Sequence, residues 1–420
     1  MRFLIVLLFT VACLRADLYT AAGSFTTPAA TGTFTPVTGL SFQPKVVIFL
    51  YSLATTDNII MDGMNIGMGF GVSSALTAAT FIRTTNGSQN VDSATRNTRA
   101  YAVLSSALGD LNTGYIYSMN SDGFTMYCTN ATQSGHYVRW LAIGGSDITG
   151  AYVERYTSPT ATGSQSLTGV GFAPDFILIA TIGSSSTNFS GTSRISIGVA
   201  ERTGNSQAVH GMYIAQASTG RRTVYSRSKV IQAPELSTMK LEAGVSSWDS
   251  DGVTLNWTAV DTSAGNNFYV LYLKGGKYKI MNHTQPASTG TQAVSGAGFQ
   301  PKGLFSFSGC VASEGFSTGA WSLWGVGSSS AYGHVAGVQA DDSLRSRDTS
   351  YSSYFLGCYT PSGTSTNIDS RATLASLDSD GFTLSWTTAN SPQRLFTTVA
   401  FGPSASAGGP ARRRVYVTGE

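Results

Sequence analysis

The side chains that could do chemistry are few in this chain, and their spacing argues against most reactions. The four histidines are His136, His210, His283 and His334. No two stand at a metal-ligand spacing such as His-x-x-x-His, so they read as exposed strand or loop residues. Three aspartates recur in one context: Asn120-Ser121-Asp122-Gly123, Asp249-Ser250-Asp251-Gly252 and Asp378-Ser379-Asp380-Gly381. A calcium loop needs oxygen ligands at alternate positions and a bidentate acid at the twelfth. Counted from Asp249 the fifth position is Val253, and counted from Asp378 it is Phe382, so the pattern fails and no metal site is expected. A glycosidase needs two carboxylates facing each other across a cleft, which a single turn aspartate does not supply. Gly315-Phe316-Ser317-Thr318-Gly319 spells a nucleophile elbow, but that motif needs a helix after it. Here Ala320-Trp321-Ser322-Leu323-Trp324 follows and reads as strand, and the motif has no equivalent elsewhere in the chain. With no phosphate loop or dinucleotide fingerprint either, no catalytic residue and no cofactor is expected.

Binding is the remaining chemistry. Trp248, Trp321 and Trp324 are candidates for stacking on sugars, because aromatic faces suit the apolar faces of pyranose rings; the competing reading is core or inter-domain packing. Cys310 and Cys358 fall within one repeat and could form a disulfide in an exported protein. Cys128 takes the position held by Trp257 and Trp386 in the other repeats, which marks it as a buried core thiol. Asn-x-Ser/Thr sequons stand at Asn86, Asn130, Asn188, Asn256 and Asn282.

The elements that must carry these residues come from a repeat. Asp122, Asp251 and Asp380 are 129 residues apart, which implies three copies of one folded unit. After each Asp-Gly turn the residues alternate: Phe124, Met126 and Cys128 on one face with Thr125 on the other, then Val253, Leu255 and Trp257, then Phe382, Leu384 and Trp386. That is a half-buried antiparallel strand. Nearer the start of each unit stands Gly-x-x-Phe-x-Pro, at Gly39, Gly169 and Gly296, running into the unbroken apolar stretches Val46–Leu50, Phe176–Ala180 and Gly303–Phe307. These read as buried strands with proline fixing the entrance. A glycine-centred segment also recurs at Gly67, Gly198 and Gly325 and suggests a bulge or a close backbone approach. Only residues 74–82 suggest a short helix.

The pattern predicts an all-β chain of three tandem antiparallel β-sandwiches of jelly-roll or concanavalin-like type, over residues 17–146, 147–276 and 277–403. The joints after Gly145 and Gly276 are short, so the domains should touch. Charged residues make up 12 %, about half the usual share, and a net charge of +3 gives no field for nucleic acid. Residues 1–16 read as a signal peptide, with an uncleaved apolar arm as the alternative and a weak lipoprotein-like site at Cys13. Ten apolar residues are too few to span a bilayer, and no membrane span is expected once the signal is removed. Residues 404–420 form a basic tail containing Arg412, Arg413 and Arg414.

The combination of Gly39 to Leu50, Asp122 to Cys128 and Tyr137 to Gly145, with the matching stretches of the other two units, resembles β-sandwich modules of tail-fibre and other virion structural proteins of tailed bacteriophages. The resemblance covers residues 20–403 and implies a non-enzymatic surface or attachment protein. It carries no binding residue, because the shared motifs are turn, strand entrance and core. The signal-like N-terminus departs from that pattern and keeps open a secreted or surface protein of a cell, or of a virus using a secretory route. The expected partners are a cell-surface glycan or protein, further copies of the chain, or other virion subunits. The alternatives are a carbohydrate-active enzyme on the same fold and a filament or shell subunit.

Overall fold

The computed structural model describes residues 17–85, 87, 91–104, 109–186, 193–215, 220–329, 331–339, 346–362 and 365–404. The export segment with Cys13, the basic tail beyond Ser404, and the sequons Asn86 and Asn188 lie outside the described residues. No helix occurs among the described residues, and the chain is all-β.

The two kinds of sequence run build two kinds of sheet. The alternating strands lie in four-stranded outer sheets. In the first, Gly123–Ala131 sits between Gly32–Val37 and Asp110–Asn120, with Tyr101–Leu104 at the edge. The second has the order Gly163–Leu167, Gly252–Ala259, Met239–Asp249, Ile231–Pro234, and the third Gly290–Ser295, Gly381–Ala389, Ser365–Asp378, Leu356–Ser362. Each Ser-Asp pair forms the two-residue loop of a hairpin, with Asn120 opposite Gly123, Asp249 opposite Gly252 and Asp378 opposite Gly381. A Cβ on Gly123, Gly252 or Gly381 would stand 2.0, 1.9 or 2.0 Å from the carbonyl oxygen of Val37, Leu167 or Val294, so no other residue fits there.

The unbroken runs lie in larger inner sheets. The first has the order Tyr19–Thr26, Tyr137–Gly144, Pro44–Ser52, Met64–Gly71, Thr77–Thr84, Val91–Arg96. The other two start in the same way from Gly150–Thr157 and Lys277–Thr284 and have seven strands each. Every strand pairing is antiparallel, and each inner sheet packs an outer sheet on one face to make a sandwich.

The other face of each inner sheet is buried too. Val47, Phe49 and Tyr51 point into the first sandwich, while Val46, Ile48 and Leu50 join a core common to all three sandwiches. Ile177 and Ile179 divide from Phe176, Leu178 and Ala180 in the same manner, and Leu304 from Phe305 and Phe307. A strand buried on both faces reads as an unbroken apolar run, which is why these stretches lack alternation.

The three sandwiches close a ring around that common core. The first lies on the third, where Ala22 N donates to Ser328 Oγ at 3.1 Å and Thr20 Oγ1 to Lys302 O at 2.5 Å. The third lies on the second, where Tyr225 Oη donates to Asn282 Oδ1 at 3.2 Å. The second lies on the first, where Lys45 Nζ donates to Ile148 O at 2.5 Å and Tyr269 Oη to Thr95 Oγ1 at 3.4 Å. Contacts that run one way round and return to the start are the head-to-tail interfaces of a cyclic trimer, here within one chain.

Strands also cross between sandwiches. Ile59–Asp62 of the first pairs with Ser346–Tyr351 of the third, and Gly315–Thr318 of the third pairs with Arg221–Ser226 of the second. The sheets therefore do not follow the sequence boundaries at these two places.

Two expectations change and a third holds. Residues 74–82 give no helix: Thr77–Thr84 is a strand buried on both faces, and its apolar continuity mimicked a helical run. The equivalent glycine of the first sandwich is Gly69, not Gly67. Gly69, Gly198 and Gly325 stand opposite Phe49, Ile179 and Ser306, each five residues after its motif proline. A Cβ there would lie 1.9, 1.9 or 2.4 Å from the carbonyl oxygen of Ala100, Val230 or Phe355, so the recurrent glycine admits a close backbone approach. Finally, the nucleophile-elbow spelling is the crossing strand Gly315–Thr318, followed by Gly319 at φ 85° and then strand Ala320–Ser328. The crossing strand, though not the spelling, has a counterpart in the first sandwich: Ile59–Asp62, followed by Gly63 at φ 85° and strand Met64–Gly71.

Candidate functional site

The recurrent aspartates hold the fold. Asp251 Oδ2 and Oδ1 accept from the amides of Gly169 (3.0 Å) and Gly171 (2.5 Å). Asp380 does the same with Gly296 (3.1 Å) and Gly298 (2.5 Å), and Asp122 Oδ2 accepts from Gly39 N at 3.3 Å. The two motifs that recur in sequence are thus bonded to each other, the hairpin aspartate clamping the glycine loop before Phe-x-Pro. The donated hydrogen bonds of Gly169 and Gly171 hold the Asp251 carboxyl below its ordinary range. Among the described residues no group of three or more His, Cys, Asp or Glu side chains is placed to hold a metal ion.

The histidines correct the expectation of exposure. His136 is 2 % exposed, His210 and His334 0 %, and His283 7 %. His210 Nε2 bonds Ser322 Oγ at 2.9 Å across the seam between the second and third sandwiches. His334 bonds Tyr359 Oη at 2.9 Å and the carbonyl of Tyr354 at 3.0 Å, and His283 bonds Thr398 Oγ1 at 3.1 Å while stacking on Phe396. Burial pushes His210 down to about 4 and His283 and His334 to about 3, so all three are neutral near pH 7. Single histidines carry no periodic signal of which side is covered, and their partners come from distant strands.

Buried polar and charged side chains also gather at the seam made by the crossing strand of the first sandwich. Arg139 bonds the Asp57 carboxylate and Ser350 Oγ (3.0 Å), and Ser352 donates to Asp57. Burial alone would raise Asp57, but the Ser352 hydrogen bond and the Arg139 charge hold it below the usual carboxylate range. Arg347 pairs with Asp62 at 2.6 Å. Asp348 is fully buried and accepts from the Leu53 amide at 3.0 Å, and burial drives its carboxyl well above the usual range. All these residues join the first sandwich to the third.

The candidate tryptophans are not brought together. Trp324 is 0 % exposed in the common core, which corrects its candidacy: a ring with no open face cannot stack on a sugar. Trp321, on the opposite face of the same strand, is half-buried against the third sandwich core and leans over Gly319. Trp248 is half-buried in the second sandwich, its indole N–H donating to Asn205 Oδ1 at 3.2 Å. Cys310 and Cys358 form a disulfide in the third sandwich, their Cα atoms 5.6 Å apart. Cys128 is a buried free thiol.

The open surface offers shallow clefts of about 180 to 380 Å³. Those beside Met64, Tyr278 and Val153 each carry one carboxylate (Asp62, Glu201 and Glu154), and the one beside Leu374 carries none. The exposed aromatic feature that sequence reasoning missed lies on the first outer sheet. Tyr115 and Tyr127 stack across strands with centroids 5.3 Å apart, and Tyr117, 54 % exposed, lies 6.3 Å from Tyr127. Its signal was available: tyrosines on the threonine face of a repeat whose other copies have none there.

No family model matches this chain and no curated protein matches it. Among solved structures, an AttH candidate from Nitrosomonas europaea aligns over 85 % of this chain and 92 % of that chain at 7 % identity, with a TM-score of 0.14. A likeness at that score carries no argument.

Proposed function

We propose that this protein is a non-enzymatic structural and attachment protein of an extracellular or virion surface, engaging surface glycans or partner subunits. One observation carries the reading. The recurrent polar groups clamp turns, the buried histidines and charges bind the sandwiches to one another, and the ring is left with outward sheet faces as its contact surface. Fused repeats raise the effective concentration of weak sites, which suits attachment. The resemblance to tail-fibre modules points the same way. The test applies the full chain to an array of neutral and acidic glycans and images it by electron microscopy alone and with particles from its source. Retention on a glycan class, or incorporation into particles, is expected. A protein that binds no glycan and joins no particle ends the proposal.

A further inference from the structure

The tyrosine row sits on the outward face of the first outer sheet, and the other two sandwiches provide its control. Strand register aligns the positions. Tyr115 opposite Tyr127 corresponds to Gly244 opposite Asn256 and to Thr373 opposite Ser385. Tyr117 is the extra residue of a β-bulge, and Ser246 and Ala375 are the extra residues of the matching bulges. A bulge re-aims the side chain it carries. The same backbone thus presents three aromatic rings in one sandwich and none at the matching positions of the other two. The fold itself has no need of tyrosine there.

The rings form one continuous row. Tyr127 lies in the middle, with Tyr115 and Tyr117 within 19° and 31° of its plane. The exposed Thr33 and Thr35 of the neighbouring strand flank the row, with Thr33 directly opposite Tyr127. Tyr115 and Tyr127 stack on each other and back the exposed Tyr117, whose ring offers apolar surface beside hydroxyls that can donate and accept, the two needs of a pyranose. The charge on the sheet narrows the ligand. Its four strands contain one charged side chain, Asp110, which is paired with Arg96 at 3.2 Å. The second outer sheet instead carries Lys240, Glu242 and Asp249. A surface for nucleic acid or an anionic membrane would need lysine or arginine beside the aromatics.

We infer that Tyr115, Tyr117 and Tyr127 form a stacking platform for an uncharged glycan, present once per chain. This rests on the glycan part of the proposed function and gives it a place. The full chain is tested against uncharged oligosaccharides and, in parallel, sialylated and sulfated ones, by titration calorimetry with melting temperatures for each variant. Tyr117→Ser and Tyr127→Asn install the residues of the second sandwich, which the fold accepts there. The expected result is binding of an uncharged glycan that weakens about tenfold or more in each variant, with little change in melting temperature. Undiminished glycan binding by both variants overturns the platform while the attachment reading stands. Lower melting temperature with undiminished binding assigns the tyrosines to sheet stability and also overturns it. Binding confined to acidic glycans overturns the uncharged ligand. No glycan binding by the native chain removes the platform and the glycan reading together.

Discussion

The two faces of each inner sheet are both buried and both apolar, but they are held in place by different kinds of residue. The face turned to its own outer sheet belongs to a repeated device: hairpin aspartate, clamped glycine loop, alternating core strand. The face turned to the common core is bordered by residues that do not repeat, including Arg139 with Asp57, Arg347 with Asp62, Asp348, and His210 with Ser322. The difference has a physical reason. Similar sandwiches could dock in the wrong order or exchange the wrong strand. A wrong neighbour would take Ser350 Oγ from Arg139, the Leu53 amide from Asp348 and Ser322 Oγ from His210, leaving buried polar groups unsatisfied at a cost of about 1–3 kcal/mol each. Repetition builds the sandwich, and departures from repetition order the ring.

The sharpest way to break this comparison is to cut into the shared face. Phe176 is fully buried between Tyr278 and Phe401 of another sandwich, with centroids at 5.0 and 5.6 Å. Phe176→Ala is expected to cost about 3–5 kcal/mol and to lower one cooperative transition in calorimetry. Trp386→Ala, in the third sandwich's own core, should lower that same transition. Separate transitions for the sandwiches would mean that the common core does not couple them. Next in size is Asp57→Ala, which strands the Arg139 guanidinium, itself 1 % exposed, at a cost of about 3 kcal/mol in urea unfolding. An unchanged midpoint would show that the Arg139–Asp57 pair contributes nothing to stability.

The disulfide belongs to one sandwich and closes a 48-residue separation, so the Cys310→Ser, Cys358→Ser double variant should lose about 2–4 kcal/mol without loss of the seam bonds. Melting with and without reductant checks it. The buried histidines give a pH dependence of about 1.4 kcal/mol per unit for each one titrating. Their folded values lie below the ordinary 6.5, so the unfolded chain takes up protons first. Stability is complete above about pH 6.5 and falls as pH drops toward about 4 for His210 and about 3 for His283 and His334. Melting temperatures that are flat from pH 7 to pH 4 would contradict this. The smallest effect is expected at the exposed clamp. Asp251 has its carboxyl depressed from 3.8, so its contribution is present above that value and lost as pH falls below it. Asp251→Asn should reduce acid sensitivity only below about pH 4, read from the acid unfolding midpoint.

The sequence was most legible where burial is one-sided. Phe382, Leu384 and Trp386 are buried while Thr383 faces out and bonds Asp378, as strict alternation requires. Cys128 is a core thiol because its strand position is a core position. The candidate site was less legible. Trp324 and Trp321 differ by three positions on a strand and so point to opposite faces, yet both faces of that sheet are covered. The repeat marks Tyr127 as an aromatic on the threonine face, and it is the register, placing Tyr115 beside Tyr127 across the sheet, that joins the tyrosines into one row.

By itself the sequence determined the strand period, the 129-residue repeat, the turns that close each hairpin and the all-β class, because these depend on neighbours a few residues apart or on self-similarity. Tertiary structure decided what covers the second face of the unbroken runs. Val46, Ile48 and Leu50 would be equally apolar under a helix layer, a partner protein or two sister sandwiches. Non-local burial leaves no periodic mark, so only the fold could show that the sister sandwiches supply that cover, and that Ile59–Asp62 and Gly315–Thr318 cross between them.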